Sequence, residues 1–332
     1  MSQQAFHFAI ASDGNTDYLL GLTVCMVSAL RHLDRAYRPV VHILDLNVPD
    51  DAYAVCEACI RKSHEDVEVV RHRLCQEELE GFPRWRGSLA AINRLFLPSL
   101  LPEVDWILYV DCDVLFTEDP STLLDCRDSM AWIVGHAEEK SPWTKHNVHD
   151  WLDARGYTGK KDDFVNSGFL LMNLEAFRRE GLHQRCFDFL TRHPDVPLCD
   201  QTTINIVCSG HIHHLPNRWG LFHTQIATPL VCHRGAIHFA GTAPWVSLRD
   251  PRYPDAAAAQ EWLRVMRSIQ GLPQQWVAGL PSERAFFWRK ALPRWLWRHL
   301  PRALIAPPWL TPLRRAKRLW RRCAEPIPLD LR

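Results

Sequence analysis

Short apolar runs alternate with helix-like patterns along most of the chain. Such runs, when turn residues bound them, are typical of buried strands, and apolar positions three or four residues apart are typical of helices. The predicted strands cover residues 6–12, 40–46, 67–72, 106–110, 131–135, 168–172 and 236–240. The predicted helices cover residues 17–33, 88–100, 175–192 and 201–208, and one more begins at residues 49–51. This alternation predicts an α/β fold with a Rossmann-like, mixed and mostly parallel sheet that has helices on both faces.

Two of the predicted strands end in polar residues that are suited to bind a ligand. The first strand runs into the turn signal of residues 13–15 (DGN), and the strand at 106–110 runs into residues 111–113 (DCD). In an open sheet of this kind, ligands bind outside the carboxyl ends of the strands. We therefore expect both motifs to face one crevice. No glycine-rich GxGxxG loop follows the first strand, so a nucleotide would be held in another way.

Asp111 and Asp113 place two carboxylates at the end of an apolar strand. If the strand continues through them, the two side chains point to the same side and Cys112 points to the opposite side. Like charges repel and are costly to desolvate, so a bound cation is the first explanation for the pair. Hard oxygen ligands suit Mg²⁺ or Mn²⁺, which commonly bridge carboxylates and substrate phosphates. A solvated loop with two acids is the alternative interpretation.

The composition is that of a globular protein. Apolar residues make up 47% of the 332 residues and charged residues 23%. The 11 cysteines show no spacing typical of disulfides. The sequence shows no apolar leader and no apolar run long enough to span a membrane. These features favour a reducing, cytoplasmic setting.

The last part of the chain differs from the rest in charge. Residues 281–332 contain 13 Lys or Arg and 3 Asp or Glu, a net charge of +10, whereas the whole chain carries +1. We therefore expect a main domain at residues 1–275 and a basic, aromatic C-terminal tail at residues 276–332. Arginines interleaved with tryptophans suit an anionic membrane surface, which predicts a peripheral membrane protein. A tail packed on its own domain, or bound to nucleic acid, is the alternative; we expect no nucleic-acid partner.

Six segments of the sequence, taken in order, are informative together. They are FAIASDGN, NRLFLPSLLPEVDWILYVDCD, WILYVDCDVLFTED, NSGFLLMNLEAFR, DQTTIN and HFAGTAPW. They resemble retaining glycosyltransferase family 8, which includes bacterial lipopolysaccharide galactosyl- and glucosyltransferases and glycogenin. The resemblance covers roughly residues 5–270 and implies a GT-A fold, a catalytic domain and a UDP-sugar donor.

The resemblance also implies roles for individual residues. Asp111, Asp113 and His238 would hold Mn²⁺, with Mg²⁺ as the other candidate, and an imidazole nitrogen suits Mn²⁺ better than Mg²⁺. Asp200 and Gln201 would be catalytic, with Gln201 near the anomeric carbon of the transferred sugar. The donor contacts would be Asp13, Asn15, Arg94, Asp111, Cys112, Asp113, Asn166 and Gly241. The local sequence around Asp13 and Asn15 is equally compatible with a turn that binds no ligand. The local sequence around Arg94 is also compatible with a charged side chain on the solvent-exposed face of a helix.

The implied reaction is a retaining transfer of galactose or glucose from a UDP-sugar to a glycolipid or oligosaccharide acceptor of the lipopolysaccharide or lipooligosaccharide type. Retaining glycosidases use a carboxylate nucleophile, whereas Gln201 is an amide and a poor nucleophile. A front-face route, in which the departing diphosphate helps to deprotonate the acceptor, is therefore at least as compatible with the sequence as a covalent intermediate.

The sequence departs from the family pattern at two positions. The family has a lysine before Pro-Trp, whereas this chain has Ala243, so Arg218 or Arg234 is a candidate for the missing cation. Thr202 stands where the family has a second acid. Two other functions stay open. The segment DCDV also fits the opening aspartates of a HAD-type phosphohydrolase, and the missing lysine is compatible with a catalytically silent sugar-nucleotide binder.

Overall fold

The apolar runs of the sequence form the strands of one main sheet and one small sheet. A computed structural model of the protein describes residues 3–85, 87–137, 147–157, 164–222, 234–249, 256–282 and 285. The main sheet contains β1 Gln4–Ser12, β2 Tyr37–Asp45, β3 Glu68–Arg73, β4 Trp106–Val110, β6 Ile133–Ala137, β7 Val165–Asn173 and β8 Ile212–His214. The small sheet contains β5 Val114–Phe116, β9 Leu221–Phe222 and β10 Ala236–His238.

The main sheet is mixed and mostly parallel, as predicted. Its strands lie in the order β3-β2-β1-β4-β7-β6-β8, and those of the small sheet lie in the order β5-β10-β9. β1 pairs in parallel with β2 and β4, β2 with β3, and β6 with β8. β7 runs antiparallel to both β4 and β6. This reversal brings the amino end of β7 next to the carboxyl end of β4, where the two aspartates lie.

Helices cover both faces of the main sheet. The first, α1 Thr16–His32, begins after Asn15, whose side chain accepts a hydrogen bond from the Asp17 amide as an N-cap. The second, α2, covers Asp50–Arg61. The other helices are Leu97–Leu100, Val148–Asp153, Leu174–Arg179, Leu182–Arg192, Cys199–Val207, Pro244–Arg249 and Ala256–Arg267. Short 3₁₀ helices cover Glu77–Leu79, Ala90–Phe96 and Pro120–Cys126.

Two predicted helices differ from the observed ones. The helix expected over residues 88–100 is a 3₁₀ helix at Ala90–Phe96 followed by one α-helical turn at Leu97–Leu100. The helix expected over residues 175–192 is divided in two, because Gly181 adopts a left-handed conformation with φ of 61°. Glycine takes this conformation without steric cost and ends the first helix there.

Two apolar clusters form the core, one on each face of the main sheet. On one face, α1, α2 and the helix Ala256–Arg267 pack against β1, β2 and β4. On the other face, the segment Ala90–Phe96 and the helices of residues 174–207 pack against the same strands and β7. All nine residues of β7 are buried, which explains why it reads as a continuous apolar run.

The described residues that follow residue 275 contact the core of the domain. Trp276 and Leu280 are buried in the core, and Arg267 donates hydrogen bonds to the carbonyls of Leu280 and Pro281. Apart from Trp276, the tryptophans of the predicted tail lie outside the described residues, and so do its arginines. Within the described part of the chain, none of the helices has the length and apolar character needed to cross a bilayer.

Candidate active site

The polar ends of β1 and β4 open into one cavity, as predicted from the strand pattern. The cavity has a volume of about 770 Å³ and lies at the carboxyl ends of the parallel strands. Every residue that the sequence analysis assigned to the site lines it: Asp13, Asn15, Arg94, Asp111, Cys112, Asp113, Asn166, Asp200, Gln201, His238 and Gly241. The structure therefore brings together segments that are far apart in the sequence.

The two aspartates lie on a turn. The prediction that their side chains point to the same side assumed a strand at these positions. β4 ends at Val110, and the chain turns between it and β5, with the Val114 amide 3.3 Å from the Asp111 carbonyl oxygen. The strand argument for their common direction is therefore wrong, although both carboxylates do reach the same place. Cys112 does point away from them, because its thiol is buried 3.1 Å from the Ala11 carbonyl oxygen. Burial raises the pKa of this thiol well above its ordinary value, and the neighbouring Asp111 raises it further.

Strand pairing brings His238 to the aspartate turn. β10 runs antiparallel to β5, with His238 opposite Val114, and the Phe239 amide donates a hydrogen bond of 2.9 Å to the Asp113 carbonyl oxygen. His238 Nε2 lies 3.2 Å from Asp113 Oδ1 and 4.0 Å from Asp111 Oδ2. His238 is buried, whereas Asp111 and Asp113 are partly exposed to the cavity.

These three side chains fit a single divalent ion. One ligand atom from each can be chosen so that all lie within 4.8 Å of one another, and no other such group of His, Cys, Asp or Glu occurs among the described residues. In an octahedral site with bonds of about 2.1 Å, adjacent ligand atoms are about 3 Å apart and opposite ones about 4.2 Å. The observed distances of 3.2 Å and 4.0 Å fall in this range. Two carboxylate oxygens and one imidazole nitrogen form a donor set that suits Mn²⁺.

Arg94 is not the solvated helix charge that its local sequence allows. It is 2% exposed, and its guanidinium lies 3.1 Å from Asp111 Oδ1 and 3.3 Å from Asp200 Oδ2. It also donates to the Ser167 carbonyl and lies 4.0 Å from the centre of the Tyr109 ring. Burial lowers the pKa of this guanidinium, but the Asp200 and Asp111 carboxylates raise it more, so it lies above its ordinary value.

Asp111 has its two oxygens engaged in different directions. Oδ1 accepts hydrogen bonds from Arg94 Nη2 at 3.1 Å and from the Tyr109 hydroxyl at 3.2 Å. Oδ2 is the atom that faces His238. Partners of this kind behind a ligand fix its orientation and leave one oxygen for an ion. The Tyr109 hydroxyl stays protonated, since burial raises its pKa well above the ordinary value.

The expected sugar-site residues come from β7 and the helix Cys199–Val207. Gln201 Oε1 accepts hydrogen bonds from Asn166 Nδ2 and the Ser167 amide, both at 3.1 Å. Asp200 is 4% exposed, and burial raises its carboxyl pKa more than Arg94 lowers it. Leu198, which caps this helix, and Cys199, its first residue, have φ of 57° and 42°. A bulky residue is rarely found with a positive φ, and strain of this kind concentrates at functional sites.

The β1 loop and the segment after β10 complete the cavity. Asp13 Oδ1 lies 3.3 Å from the Asn15 amide, and Asn15 caps α1, so both residues also have the structural role that their turn pattern indicates. Gly241 has φ of 87°, and no atom lies within 4 Å of the Cβ that a side chain would add there. The left-handed backbone is thus what requires glycine at this position.

The departures from the family pattern have structural consequences. Neither Arg218 nor Arg234 lines the cavity, and Arg218 lies 3.6 Å from Glu118, so neither takes the place of the missing lysine in this structure. Thr202 is fully buried, and its hydroxyl donates to the Pro197 carbonyl. It therefore braces the strained turn before its helix and does not contribute to the cavity.

Sequence reasoning missed several residues that line the cavity or hold it in place. The Tyr109 hydroxyl donates a hydrogen bond to Asp111. Ser167 accepts one from Arg94 through its carbonyl and donates one to Gln201 through its amide. Asn205 joins the helix Cys199–Val207 to the amide and the carbonyl of Val165. These contacts have no local sequence signal, because they join segments distant in the chain. The cavity is also lined by Tyr18, Trp85, Ser88, Leu198, Phe222 and Thr242.

Comparisons with known proteins identify the fold and the family. The family model described as Glycosyl transferase family 8 matches residues 9–248. The crystal structure of galactosyltransferase LgtC in complex with donor and acceptor sugar analogues is 20% identical, with a TM-score of 0.65, and covers 83% of this chain and 100% of that one. Glycosyltransferase GlyE of Streptococcus pneumoniae is 16% identical, with a TM-score of 0.57, over 80% of this chain and 60% of that one.

Curated relatives match parts of the same region. General stress protein A of Bacillus subtilis is 24% identical over 223 residues, which are 65% of this chain and 73% of that protein. Glucoside xylosyltransferase 1 of Homo sapiens is 38% identical over 96 residues, 27% of this chain and only 20% of that protein. The phosphohydrolase alternative is wrong, because residues 111–114 lie inside the matched family domain. The chain therefore belongs to glycosyl transferase family 8, has the GT-A fold and is a glycosyltransferase.

Proposed function

We propose that this chain is a metal-dependent, retaining hexosyltransferase that transfers galactose or glucose from a UDP-sugar to a sugar acceptor. The observation that carries the proposal is the ion-sized group of Asp111, Asp113 and His238 in one cavity with Asp200 and Gln201. The complex of galactosyltransferase LgtC with donor and acceptor sugar analogues supports a sugar-nucleotide donor and a sugar acceptor on this fold.

The charge of the cavity favours a divalent ion bound together with a diphosphate. Carboxylates of Asp13, Asp111, Asp113 and Asp200 line it, and Arg94 is the one Lys or Arg among the described lining residues. A diphosphate alone would meet net negative charge, so donor binding should depend on the ion. When bound, Mn²⁺ would act as a Lewis acid that offsets the charge of the leaving diphosphate.

The hexose would lie between β7 and the helix Cys199–Val207. The Asp200 carboxylate is suited to accept hydrogen bonds from sugar hydroxyls, and Arg94 holds that carboxylate in place. The Gln201 oxygen already accepts hydrogen bonds from Asn166 and Ser167. Since an amide oxygen held in this way is a poor nucleophile, we favour a front-face route over a covalent glycosyl intermediate.

In the front-face route, one bond breaks and one forms on the same face of the sugar. The bond from the anomeric carbon to the diphosphate oxygen breaks, and the acceptor hydroxyl oxygen bonds to that carbon. The acceptor proton passes to the departing diphosphate oxygen. Asp200 and the amides of Asn166 and Gln201 would orient the sugar and stabilise the positive charge that develops on its ring.

The acceptor would be a glycolipid or oligosaccharide of the lipopolysaccharide type, reached at the inner face of the cytoplasmic membrane. The support for this part is compositional: residues 281–332 carry a net charge of +10 and several tryptophans. Such a segment is attracted to anionic lipid headgroups. We expect it to hold the enzyme near a lipid-linked acceptor.

A catalytically silent sugar-nucleotide binder is the second candidate. The observation that favours it is the missing cation: Ala243 replaces the family lysine, and Arg218 lies beside Glu118 instead of the cavity. A diphosphate with one cation fewer would be bound more weakly or would leave more slowly. Binding of a UDP-sugar without UDP release would support this candidate.

The decisive experiment measures UDP release from a panel of UDP-sugars in the presence of Mn²⁺. The panel contains UDP-galactose, UDP-glucose, UDP-N-acetylglucosamine and UDP-xylose, because some relatives are named xylosyltransferases. We expect a UDP-hexose to be the preferred donor, and both EDTA and Asp113→Asn to abolish release. Preference for UDP-xylose would contradict the hexose assignment, and undiminished release by Asp113→Asn would contradict the role of the metal.

A further inference from the structure

Gly168 lies against the pair of side chains that the proposed ion would join. A Cβ atom built on Gly168 would lie 2.4 Å from Asp111 Oδ2 and 2.5 Å from His238 Cε1. Real Cβ atoms do not approach other atoms this closely, so any side chain at residue 168 would displace one or both partners. The carboxylate and the imidazole thus share a space that exists because this residue has no side chain.

Backbone conformation does not explain the glycine. Gly168 belongs to β7, its φ lies outside the left-handed range, and its carbonyl accepts a hydrogen bond of 2.8 Å from the Asp111 amide. Its neighbours Ser167 and Phe169 have side chains in the same strand. Other residues could therefore adopt this backbone, and glycine inside a strand weakens it. The reason for glycine is the contact with Asp111 and His238.

Contacts with other residues hold both partners, so neither could move away from a methyl group at residue 168 without losing some of them. Asp111 Oδ1 is held by Arg94 and the Tyr109 hydroxyl, so rotation of the carboxylate would break buried hydrogen bonds. His238 is 3% exposed and lies on β10, which pairs with β5 on one side and β9 on the other. Its ring also lies 5.9 Å from the centre of the Phe222 ring. A larger residue would therefore change the distance between the two ligand atoms.

We propose that Gly168 is a positioning residue of the metal site, which sets the separation of Asp111 Oδ2 and His238 Nε2 by leaving their shared space unfilled. This inference rests on the proposed metal-dependent function, and it assigns to Gly168 a role in ion affinity that the residue performs without contacting the ion. Groups that orient metal ligands typically change affinity by about 10- to 100-fold when they are altered.

The test compares Mn²⁺ affinity in Gly168→Ala and in Gly135→Ala. Gly135 is a matched control, because it is a buried strand glycine on β6 whose Cβ would lie 2.8 Å from Val165 Cβ and 2.9 Å from Leu170 Cδ2, neither of which lines the cavity. Free Mn²⁺ is measured by electron paramagnetic resonance without nucleotide, and folding is followed by circular dichroism. We expect both variants to lose stability, and Gly168→Ala alone to bind Mn²⁺ at least about tenfold more weakly.

The outcomes separate the inference from the proposed function. Wild-type affinity in Gly168→Ala, with Mn²⁺ bound normally by the wild-type chain, would overturn the role of Gly168 and leave the proposed function intact. Failure of the wild-type chain to bind Mn²⁺ would overturn both. If Gly168→Ala does not fold, His238→Ala is compared with Gly168→Ala/His238→Ala, because removal of the ring removes one of the two clashes. In that pair a methyl group at residue 168 would still displace Asp111 Oδ2, so the double variant should bind Mn²⁺ more weakly than His238→Ala. Equal Mn²⁺ affinity of the two variants would also overturn the inference.

Discussion

The guanidinium of Arg94 lies 3.3 Å from the carboxylate of Asp200, and both side chains are almost fully buried. The same guanidinium lies 3.1 Å from Asp111. Arg94 therefore connects the acid expected beside the sugar with an acid expected to bind the ion. Charges buried to this extent are tolerated because each has a partner of opposite sign.

Loss of Arg94 should destabilise the protein more than loss of the Asp200 charge. Arg94→Met leaves two carboxylates without their cation, and removal of one partner of a buried pair costs about 3–5 kcal/mol. Asp200→Asn leaves Arg94 paired with Asp111, so the free energy of unfolding should fall by less. Guanidinium denaturation of the two variants and wild type, all in EDTA, measures the difference. A larger loss for Asp200→Asn would contradict the assignment of Arg94 as the shared partner.

A row of three histidines across the sheet should make stability depend on pH. His7 Nδ1 lies 3.0 Å from His42 Nε2, and His42 Nδ1 lies 3.0 Å from His72 Nε2. Burial lowers the pKa of all three, to about 3 for His42, and the charges of Arg38 and Glu68 act on His7 with opposite signs. Each neutral–neutral contact needs one N–H donor and one acceptor nitrogen. Protonation in the folded state would break this arrangement.

The sign follows from the lowered pKa values. Below about pH 6.5 the unfolded chain binds protons that these imidazoles do not bind in the folded state, so the free energy of unfolding falls as pH falls. The slope is at most about 1.4 kcal/mol per pH unit for each imidazole. Denaturation is measured in EDTA between about pH 7.5 and about pH 4.5. The free energy of unfolding should fall less steeply with falling pH for His42→Gln than for wild type. Identical slopes would show that His42 takes a proton equally in both states.

Replacement of His238 should change which metal ion the site prefers. An amide oxygen in His238→Gln is a harder ligand than imidazole nitrogen, so binding of Mn²⁺ should weaken more than binding of Mg²⁺. The ratio of the two dissociation constants, measured by titration calorimetry, reports the change independently of turnover. His136→Gln is the control, because His136 is also a buried imidazole but does not line the cavity. An unchanged ratio in His238→Gln would exclude His238 as a ligand.

Removal of the tail should separate membrane binding from donor hydrolysis. A chain that ends after residue 285 keeps Leu280 and Pro281, whose carbonyls accept hydrogen bonds from Arg267. We expect this chain to stop sedimenting with vesicles of an anionic phospholipid and to retain UDP-sugar hydrolysis in Mn²⁺. Vesicles of a zwitterionic lipid are the control for both proteins. Sedimentation equal to that of the full chain would contradict the proposed role of the tail.

The sequence predicts much of the fold because its strands are buried on both faces. β1, β2 and β4 stand out as apolar runs. The predicted bounds of the first helix and the predicted start of the second agree closely with α1 and α2. Short elements such as β5, β8 and β9 were not predicted. They have two or three residues each, too few for a periodic pattern, and form through pairing with distant strands.

The sequence alone determined which segments of the chain contribute residues to the site. Each polar motif follows an apolar strand or lies in a segment that resembles the family. The tertiary structure alone decided how those residues meet. Antiparallel pairing of β10 with β5 brings His238 to Asp113, and the reversed β7 brings Gly168 to Asp111. Arg94 is buried and pairs with two carboxylates, those of Asp111 and Asp200. Local patterns encode burial and periodicity, whereas ligand distances arise from contacts between strands that are far apart in the chain.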